Sequence, residues 1–175
     1  MDEHVRPLIE IQERSYERAS PGLEESYPRR LAMDAARMAA FLNEKRYAVL
    51  ATGRRDGRPH AAPIAFSFWR GGFWIATVDG VRLRSLRARP YASIVVMEGD
   101  ERRRHRAVIA EGPVLIHDGE DVIDSDPAFR ERWRALHGGP PAWAAAVLEL
   151  RPARVLSFDG ALESAPCRRE TDRLQ

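Results

Sequence analysis

Two arginines lie where a predicted helix follows a predicted apolar strand. The strand covers residues 73–77 and ends at Thr77, and the helix covers residues 81–89 and carries Arg82 and Arg84. The first backbone N–H groups of a helix lack partners within it and form the positive end of its dipole. With guanidinium groups beside them, they favour a bound phosphate. For a single arginine, a solvated side chain on a polar helix face is the competing interpretation.

The second predicted strand, residues 58–69, allows a close approach to a flat ligand. His60 is followed there by Ala-Ala-Pro-Ile, and Pro59 and Pro63 predict an edge or bulged strand because proline cannot donate a backbone hydrogen bond. The two alanines leave room for a planar ring against the backbone. The His60 imidazole titrates near neutral pH and could act as a general acid or base. A structural role for His60 is the favoured interpretation.

The elements that must position these residues are mainly strands. Periodicity and turn residues predict helices over residues 3–18, 31–45, 81–89 and 126–137. They predict strands over residues 47–52, 58–69, 73–77, 92–97, 104–117 and 143–158. This order predicts an α+β protein, mainly β, built on a small closed or split barrel of six antiparallel strands.

A chain of 175 residues is long enough for one domain with its own core. We expect an N-terminal helical arm over residues 1–30, placed to cover a partner subunit. The barrel domain is expected over residues 31–160, and a polar C-terminal tail over residues 161–175.

The composition narrows the classes of function. All but one of the 28 basic residues are arginine, which fits a GC-rich genome as well as phosphate or carboxylate ligands. The single cysteine, Cys167, excludes a disulfide framework and a cysteine metal site. The chain has no metal-ligand spacing, P-loop or G-x-S-x-G motif, so nothing supports a kinase or hydrolase. No apolar run reaches the length of a membrane span, and the first residues lack the apolar core of a signal peptide, so we expect a cytoplasmic protein without membrane contact.

An ordered set of short motifs resembles the pyridoxamine 5'-phosphate oxidase-like split-barrel superfamily, which binds FMN or the deazaflavin F420. The resemblance covers about residues 38–158, and its motifs are Leu50-Ala51-Thr52, Asp56-Gly57-Arg58-Pro59-His60, Pro63, Thr77, Arg82, Leu86, Pro90 and Gly112. True pyridoxamine phosphate oxidases carry an arginine at the position of Ala62 and Ser-Arg-Lys where this chain has Gly80-Val81-Arg82. These departures argue against pyridoxamine phosphate as the substrate.

The resemblance implies a homodimer with the cofactor site between its subunits. Arg82 would hold the cofactor phosphate near Thr77, and residues 60–64 would lie along the ring. The implied cofactor-binding residues are His60, Ala62, Pro63, Ile64, Thr77, Arg82, Arg84 and Arg106. The implied activity is hydride transfer to or from a small organic substrate, with FMN slightly preferred over F420. The cofactor supplies the redox chemistry, so no catalytic residue and no metal are assigned.

Two alternatives stay open. The same fold also suits a non-catalytic flavin- or haem-binding carrier or sensor. The basic run at residues 102–106 is expected to be a solvated hairpin, although its arginines could complement the glutamate chain of F420 or, less simply, nucleic acid. The tryptophans are expected mainly in the core, with stacking on a ring or a dimer interface as the alternative.

Overall fold

The computed structural model describes residues 3–99, 104–118, 121–139 and 143–164. Its strands are β1 (Tyr47–Gly53), β2 (Pro59–Ala65), β3 (Ser67–Trp69), β4 (Gly72–Thr77), β5 (Tyr91–Glu98), β6 (Arg106–His117), β7 (Ala146–Leu150) and β8 (Arg154–Asp159). Its α-helices are α1 (Arg6–Glu17), α2 (Pro21–Ser26), α3 (Ala35–Glu44), α4 (Val81–Ala88), α5 (Asp121–Asp124) and α6 (Pro127–His137). Short 3-10 turns follow at Arg29–Leu31 and Gly160–Ser164. Arg102, Arg103 and Cys167 lie outside the described residues.

The strands form one curled antiparallel sheet in the order β2-β1-β5-β6-β7-β4-β3, and β8 pairs with β6 off this path. The long β6 bends from one half of the sheet to the other. Its first residues pair with β5 and β8, and its last four, Val114–His117, pair with β7. The two halves of the sheet therefore share β6. This arrangement is a split barrel in an α+β protein, as the sequence predicted.

The strand count is eight rather than the expected six, because two predicted strands each divide. Residues 58–69 divide at Phe66, whose side chain is fully buried and whose N–H donates to the Arg46 carbonyl. Residues 143–158 divide at the turn between β7 and β8. At Phe66 the partner strand changes from β1 to β4. At the second point β7 pairs with both β4 and β6, whereas β8 pairs with β6. Within the described sheet β2 is an edge strand, as its prolines predicted.

The N-terminal helix packs on the barrel of its own chain. Helix α1 contacts β8, and Val5 and Leu8 belong to the main hydrophobic core. Buried Tyr16 donates its hydroxyl hydrogen to the Ser157 carbonyl at 3.2 Å. Helix α1, the main element of the expected N-terminal arm, therefore packs on this chain's own barrel, and its contact with a partner stays a prediction.

Helix α6 has clear signals at both ends. The Asp126 side chain accepts hydrogen bonds from Ala128 and Phe129 N–H, and Gly138 ends the helix in the left-handed region at φ 80°. Phe129 and Trp133 pack with Ile123 and Val147 in a second buried cluster. Helix α6 thus lies against the half of the sheet that contains β7 and β4. In the described parts of the chain, no helix combines the length and apolar character that a membrane crossing requires.

Candidate functional site

A cavity of about 650 Å³ lies where β2, β4, α4 and the end of α6 meet. Its strand wall consists of Pro63, Ile64 and Ala65 from β2 and Ala76 and Thr77 from β4. Arg82 contributes from the first turn of α4. The opposite wall is apolar and aromatic, and consists of Trp133, Leu136, His137, Gly138, Gly139 and Trp143. The volume falls within the range of pockets for cofactors and drug-sized ligands.

Arg82 is a cation without a counter-ion among the described residues. No described carboxylate lies within ion-pair distance of its guanidinium, and its Nε is shielded from solvent without a hydrogen-bond partner. Its Nη1 lies 3.5 Å from Thr77 Oγ1. Burial lowers the pKa of Arg82, but arginine stays protonated in proteins. A partly buried, unpaired cation is costly, so this end of the cavity favours an anion.

The backbone beside Arg82 points to the same ligand charge. Helix α4 has Gly80 at its N-cap, in extended backbone and without a side-chain cap. The free N–H groups of the first turn are therefore not satisfied by a capping side chain. A phosphate suits both these donors and the guanidinium. The residues that are present fit the phosphate end of a flavin or deazaflavin nucleotide.

Four of the eight predicted site residues line this one cavity: Pro63, Ile64, Thr77 and Arg82. Ile64 is buried, whereas the Pro63 side chain is exposed on the other face of the strand. Consecutive side chains of a strand point to opposite faces. Since the consecutive residues 63–65 all line the cavity, the cavity borders the edge of β2 rather than one of its faces.

His60 and Ala62 lie on β2 but not in the cavity wall. His60 pairs with Thr52 on β1, and Ala62 pairs with Leu50. The His60 Nδ1 and Thr52 Oγ1 atoms are both buried without a hydrogen-bond partner among the described residues. His60 therefore gains no acid–base partner at this site.

Arg84 and Arg106 lie elsewhere. Arg84 is on the far side of α4, exposed and 3.8 Å from Asp79. Arg106 makes an ion pair with Glu98, lies 3.7 Å from Glu44, and has its guanidinium 5.1 Å from the Phe41 ring. Its charge is therefore neutralised within the chain, in contrast to that of Arg82.

Apart from its tryptophans, the wall opposite the strands was not predicted from the sequence, and its most important residue is His137. The His137 Nε2 and the fully buried Ser67 Oγ are hydrogen-bonded at 3.0 Å. Burial lowers the pKa of His137, nearby Arg46 adds to this, and a hydrogen bond to the Phe66 carbonyl opposes it. The imidazole is therefore neutral at pH 7. A histidine in the last turn before Gly138-Gly139 was the available signal, but nothing local indicated its contact with β3.

Trp133 and Trp143 line the same cavity but differ in burial, so they fit different predicted roles of the tryptophans, core packing and ring stacking. Trp133 is a core residue that packs against His137 at a ring distance of 4.6 Å, and its Nε1 donates to the Gly139 carbonyl. Trp143 is 62% exposed although it lines the cavity. An exposed indole beside an apolar wall is suited to cover a flat ligand.

Two antiparallel half-sheets that share β6 define a split-barrel protein, and the cavity beside the unpaired Arg82 is its candidate site for an anionic ligand. The chain belongs to the pyridoxamine 5'-phosphate oxidase family, whose model matches residues 35–159. No curated protein gives a significant match.

Solved structures with the same fold carry differing descriptions. The conserved hypothetical protein Rv2991 from Mycobacterium tuberculosis is similar over 80% of this chain and 93% of its own, with a TM-score of 0.68 and 22% identity. An F420 reductase is similar over 66% of this chain and 93% of its own, with a TM-score of 0.53 and 22% identity. HutZ, the haem storage protein of Vibrio cholerae, is similar over 71% of this chain and 95% of its own, with a TM-score of 0.57 and 18% identity. At these identities the likeness shows the fold.

Proposed function

We propose that this protein is a cytoplasmic oxidoreductase that binds FMN or F420 and transfers a hydride to or from a small organic substrate. The observation that carries the proposal is Arg82, a partly buried cation without a carboxylate partner among the described residues, at one end of a cavity of about 650 Å³. The match to the family model and the solved structures described as an F420 reductase and a FAD-binding protein support a flavin-type ligand.

The residues of this chain would bind and shield the cofactor. Arg82 holds the phosphate, with Thr77 Oγ1 next to its guanidinium. The backbone of residues 63–65 offers a flat wall for the ring, and the aromatic wall from α6 excludes water from the other side. Hydride transfer is the chemistry that such a cofactor supplies when bound, and it depends chiefly on how the substrate is positioned.

A homodimer is part of the proposal, because one face of the sheet is exposed and apolar. On β1, β2, β5 and β6 the outward residues lie in register: Ala61, Pro63, Ala65, Tyr47, Val49, Ala51, Ser93, Val95, Met97 and Ile109, with the charged Glu111 opposite Ser93. Tyr47 is 72% exposed and Met97 52% exposed. An apolar patch this continuous is typical of a protein interface. Tyr47 and Pro63 belong both to this face and to the cavity lining, so a second copy seated here would border the cofactor site.

A haem- or flavin-binding carrier is the second candidate, and His137 is the observation that favours haem. Its imidazole lines the cavity and is neutral because burial lowers its pKa. Neutral imidazole is the form that ligates a metal. The hydrogen bond to Ser67 Oγ at 3.0 Å engages its Nε2, however, so iron binding there requires that this bond be given up.

The test is reconstitution followed by turnover. Purified protein is mixed separately with FMN, F420 and haemin, and bound ligand is identified from its absorption spectrum after desalting. We expect the protein to retain one equivalent of FMN or F420 per chain. We also expect an added electron acceptor to oxidise the bound cofactor once it has been reduced. Retention of haem alone would support the second candidate. Flavin binding without any turnover over a panel of acceptors would support a carrier.

A further inference from the structure

A second cavity, of about 750 Å³, lies on the opposite side of α4 from the cofactor site. Its wall on α4 includes Val81, Arg84, Ser85 and Ala88, which recur at the spacing of one helical face. Its other wall is the turn between β1 and β2, with Arg54, Arg55 and Asp56. Arg82 is not part of this lining, so α4 separates the two cavities.

The lining of this second cavity is strongly positive. It holds four arginines, Arg54, Arg55, Arg84 and Arg87, and one carboxylate, Asp56. That carboxylate is already engaged, because Arg58 Nη2 lies 2.7 Å from Asp56 Oδ2. The hydrogen bond from Arg58 is also the main reason why the pKa of Asp56 is lowered. The lining of the cavity therefore carries an excess of positive charge.

The arginines differ in how far they are paired. Arg87 has a carboxylate neighbour in Asp118 at 2.9 Å, and Arg84 has a looser one in Asp79 at 3.8 Å. Neither Arg54 nor Arg55 lies within ion-pair distance of a carboxylate among the described residues. Two adjacent unpaired cations thus face an exposed arginine on the helix across an open cavity.

The Arg54 side chain has a buried N–H donor that lacks a hydrogen-bond acceptor among the described residues. This donor is its Nε, which is shielded from solvent. A shielded donor without an acceptor is unfavourable, because it has lost its hydrogen bonds to water. A guanidinium presents its N–H groups in a fork that matches phosphate oxygens, so an anion in the cavity would remove this cost.

We propose that this second cavity is a binding site for a small polyanion that carries two linked phosphate groups, of which pyrophosphate and nucleoside diphosphates are the simplest. Arginines reach the cavity from two separate elements, the β1–β2 turn and α4, so a ligand with two anionic groups can engage both. A single phosphate group could contact the arginines of only one of these two elements. The site is independent of the proposed cofactor site, since it shares no lining residue with it.

The experiment measures pyrophosphate binding by titration calorimetry in a low-salt buffer free of phosphate. All variants are made in an Arg82→Ala background, so that binding at the cofactor site does not contribute. The test variants are the double substitution Arg54→Ser with Arg55→Ser, and the single substitution Arg84→Ser on an exposed helix face. The control is the double substitution Arg14→Ser, on the exposed face of α1, with Arg18→Ser, at the exposed position that follows α1. It removes the same net charge as the turn double variant, away from the cavity.

We expect one site in the Arg82→Ala parent, weakened about tenfold or more by the turn double variant and about threefold by Arg84→Ser, as loss of charged hydrogen bonds implies. The control should stay within about twofold of the parent. ADP should bind at the same site if a nucleotide is the source, whereas preference for pyrophosphate would identify a free diphosphate. Equal losses in the test and control variants, no binding by the parent, or tighter binding of a triglutamate peptide would each overturn the proposal. Far-UV circular dichroism checks folding, and Arg84→Ser keeps the test decisive should the turn variant misfold.

Discussion

At the scale of single residues, the difference between Arg82 and Arg84 determines what α4 can bind. Positions two apart on a helix point about 200° from each other, so both cannot face one cavity. Arg82 faces the cavity that also contains Thr77, and Arg84 faces the β1–β2 turn. The sequence grouped the two arginines because both follow the strand. The structure separates them into two cavities, each of which we propose binds an anion.

His137 gives a prediction on pH. Its pKa in the folded protein lies below the ordinary 6.5, with burial as the largest cause. The folded state therefore binds fewer protons than the unfolded state in this range, so His137 lowers stability as pH falls below about 6.5. We expect the melting temperature to fall between pH 7.5 and pH 5, and the fall to be smaller in His137→Gln. The same slope in both proteins would contradict this.

The local part of the candidate site was predictable from the sequence, and the rest was not. Thr77, Arg82 and the Pro63–Ile64 backbone lie within twenty residues of each other, joined by one hairpin, so order and turn chemistry place them together. His137 ends α6 and Trp143 precedes β7, and both lie more than fifty residues further along the chain. Their position depends on how α6 packs against Trp74 and Val147, which no local pattern specifies.

At the scale of elements, α1 is held to β8 by a buried polar network as well as by apolar packing. The Gln12 Nε2 donates to the Met33 carbonyl at 3.0 Å, and Ser157 Oγ donates to Gln12 Oε1 at 2.6 Å. Val155 N–H donates to Ser15 Oγ at 3.1 Å. Burial raises the pKa of Tyr16 to about 12, so its hydroxyl stays protonated as a donor to the Ser157 carbonyl. The helical spacing was predictable, but these partners are 140 residues or more away for Ser15 and Tyr16.

Gln12→Ala should lower the free energy of unfolding by about 2–3 kcal/mol, because it leaves the buried Met33 carbonyl without a donor and the Ser157 hydroxyl hydrogen without an acceptor. Urea unfolding measures the change. Arg14→Ala on the exposed face of the same helix is the matched control and should change stability by less than about 0.5 kcal/mol. Equal effects of the two substitutions would show that α1 contributes little to the packed unit.

Gly112 in β6 allows a close backbone crossing. A Cβ added there would lie 2.0 Å from the Arg151 carbonyl oxygen and 2.8 Å from Ala153 N, in the turn between β7 and β8. Gly112→Ala should therefore destabilise the protein by about 3 kcal/mol, at the upper end of overpacking effects. Gly53→Ala is the control, since nothing lies within 4 Å of its added Cβ. A melting temperature for Gly112→Ala equal to that of Gly53→Ala would refute this account of the crossing.

At the scale of the whole molecule, the apolar face of β1, β2, β5 and β6 connects the proposed dimer to the proposed chemistry. Met97 is 52% exposed near one side of this face. Met97→Glu should place two charges against apolar surface in a symmetric dimer and dissociate it. Light scattering with size-exclusion chromatography should give twice the 19.8 kDa chain mass for the wild type and a single chain for the variant.

Leu115→Glu is the control for that prediction. Leu115 is 39% exposed and lies on the later part of β6, which pairs with β7. The substitution adds the same charge outside the proposed interface and should leave the dimer intact. A wild-type monomer, or a dimer that survives Met97→Glu, would contradict the assignment of this face.

The most direct test of the central claim is a fluorescence titration of FMN and F420 into the wild type, Arg82→Ala, Arg82→Lys and Arg84→Ala. We predict that Arg82→Ala weakens the preferred cofactor by about tenfold to a hundredfold, as loss of charged hydrogen bonds to a phosphate implies. Its stability should not fall, because the substitution removes a partly buried cation with no described counter-ion. Arg82→Lys should recover part of the affinity, and Arg84→Ala should stay within about twofold of the wild type. Unchanged affinity in Arg82→Ala, or equal losses in Arg82→Ala and Arg84→Ala, would contradict the account.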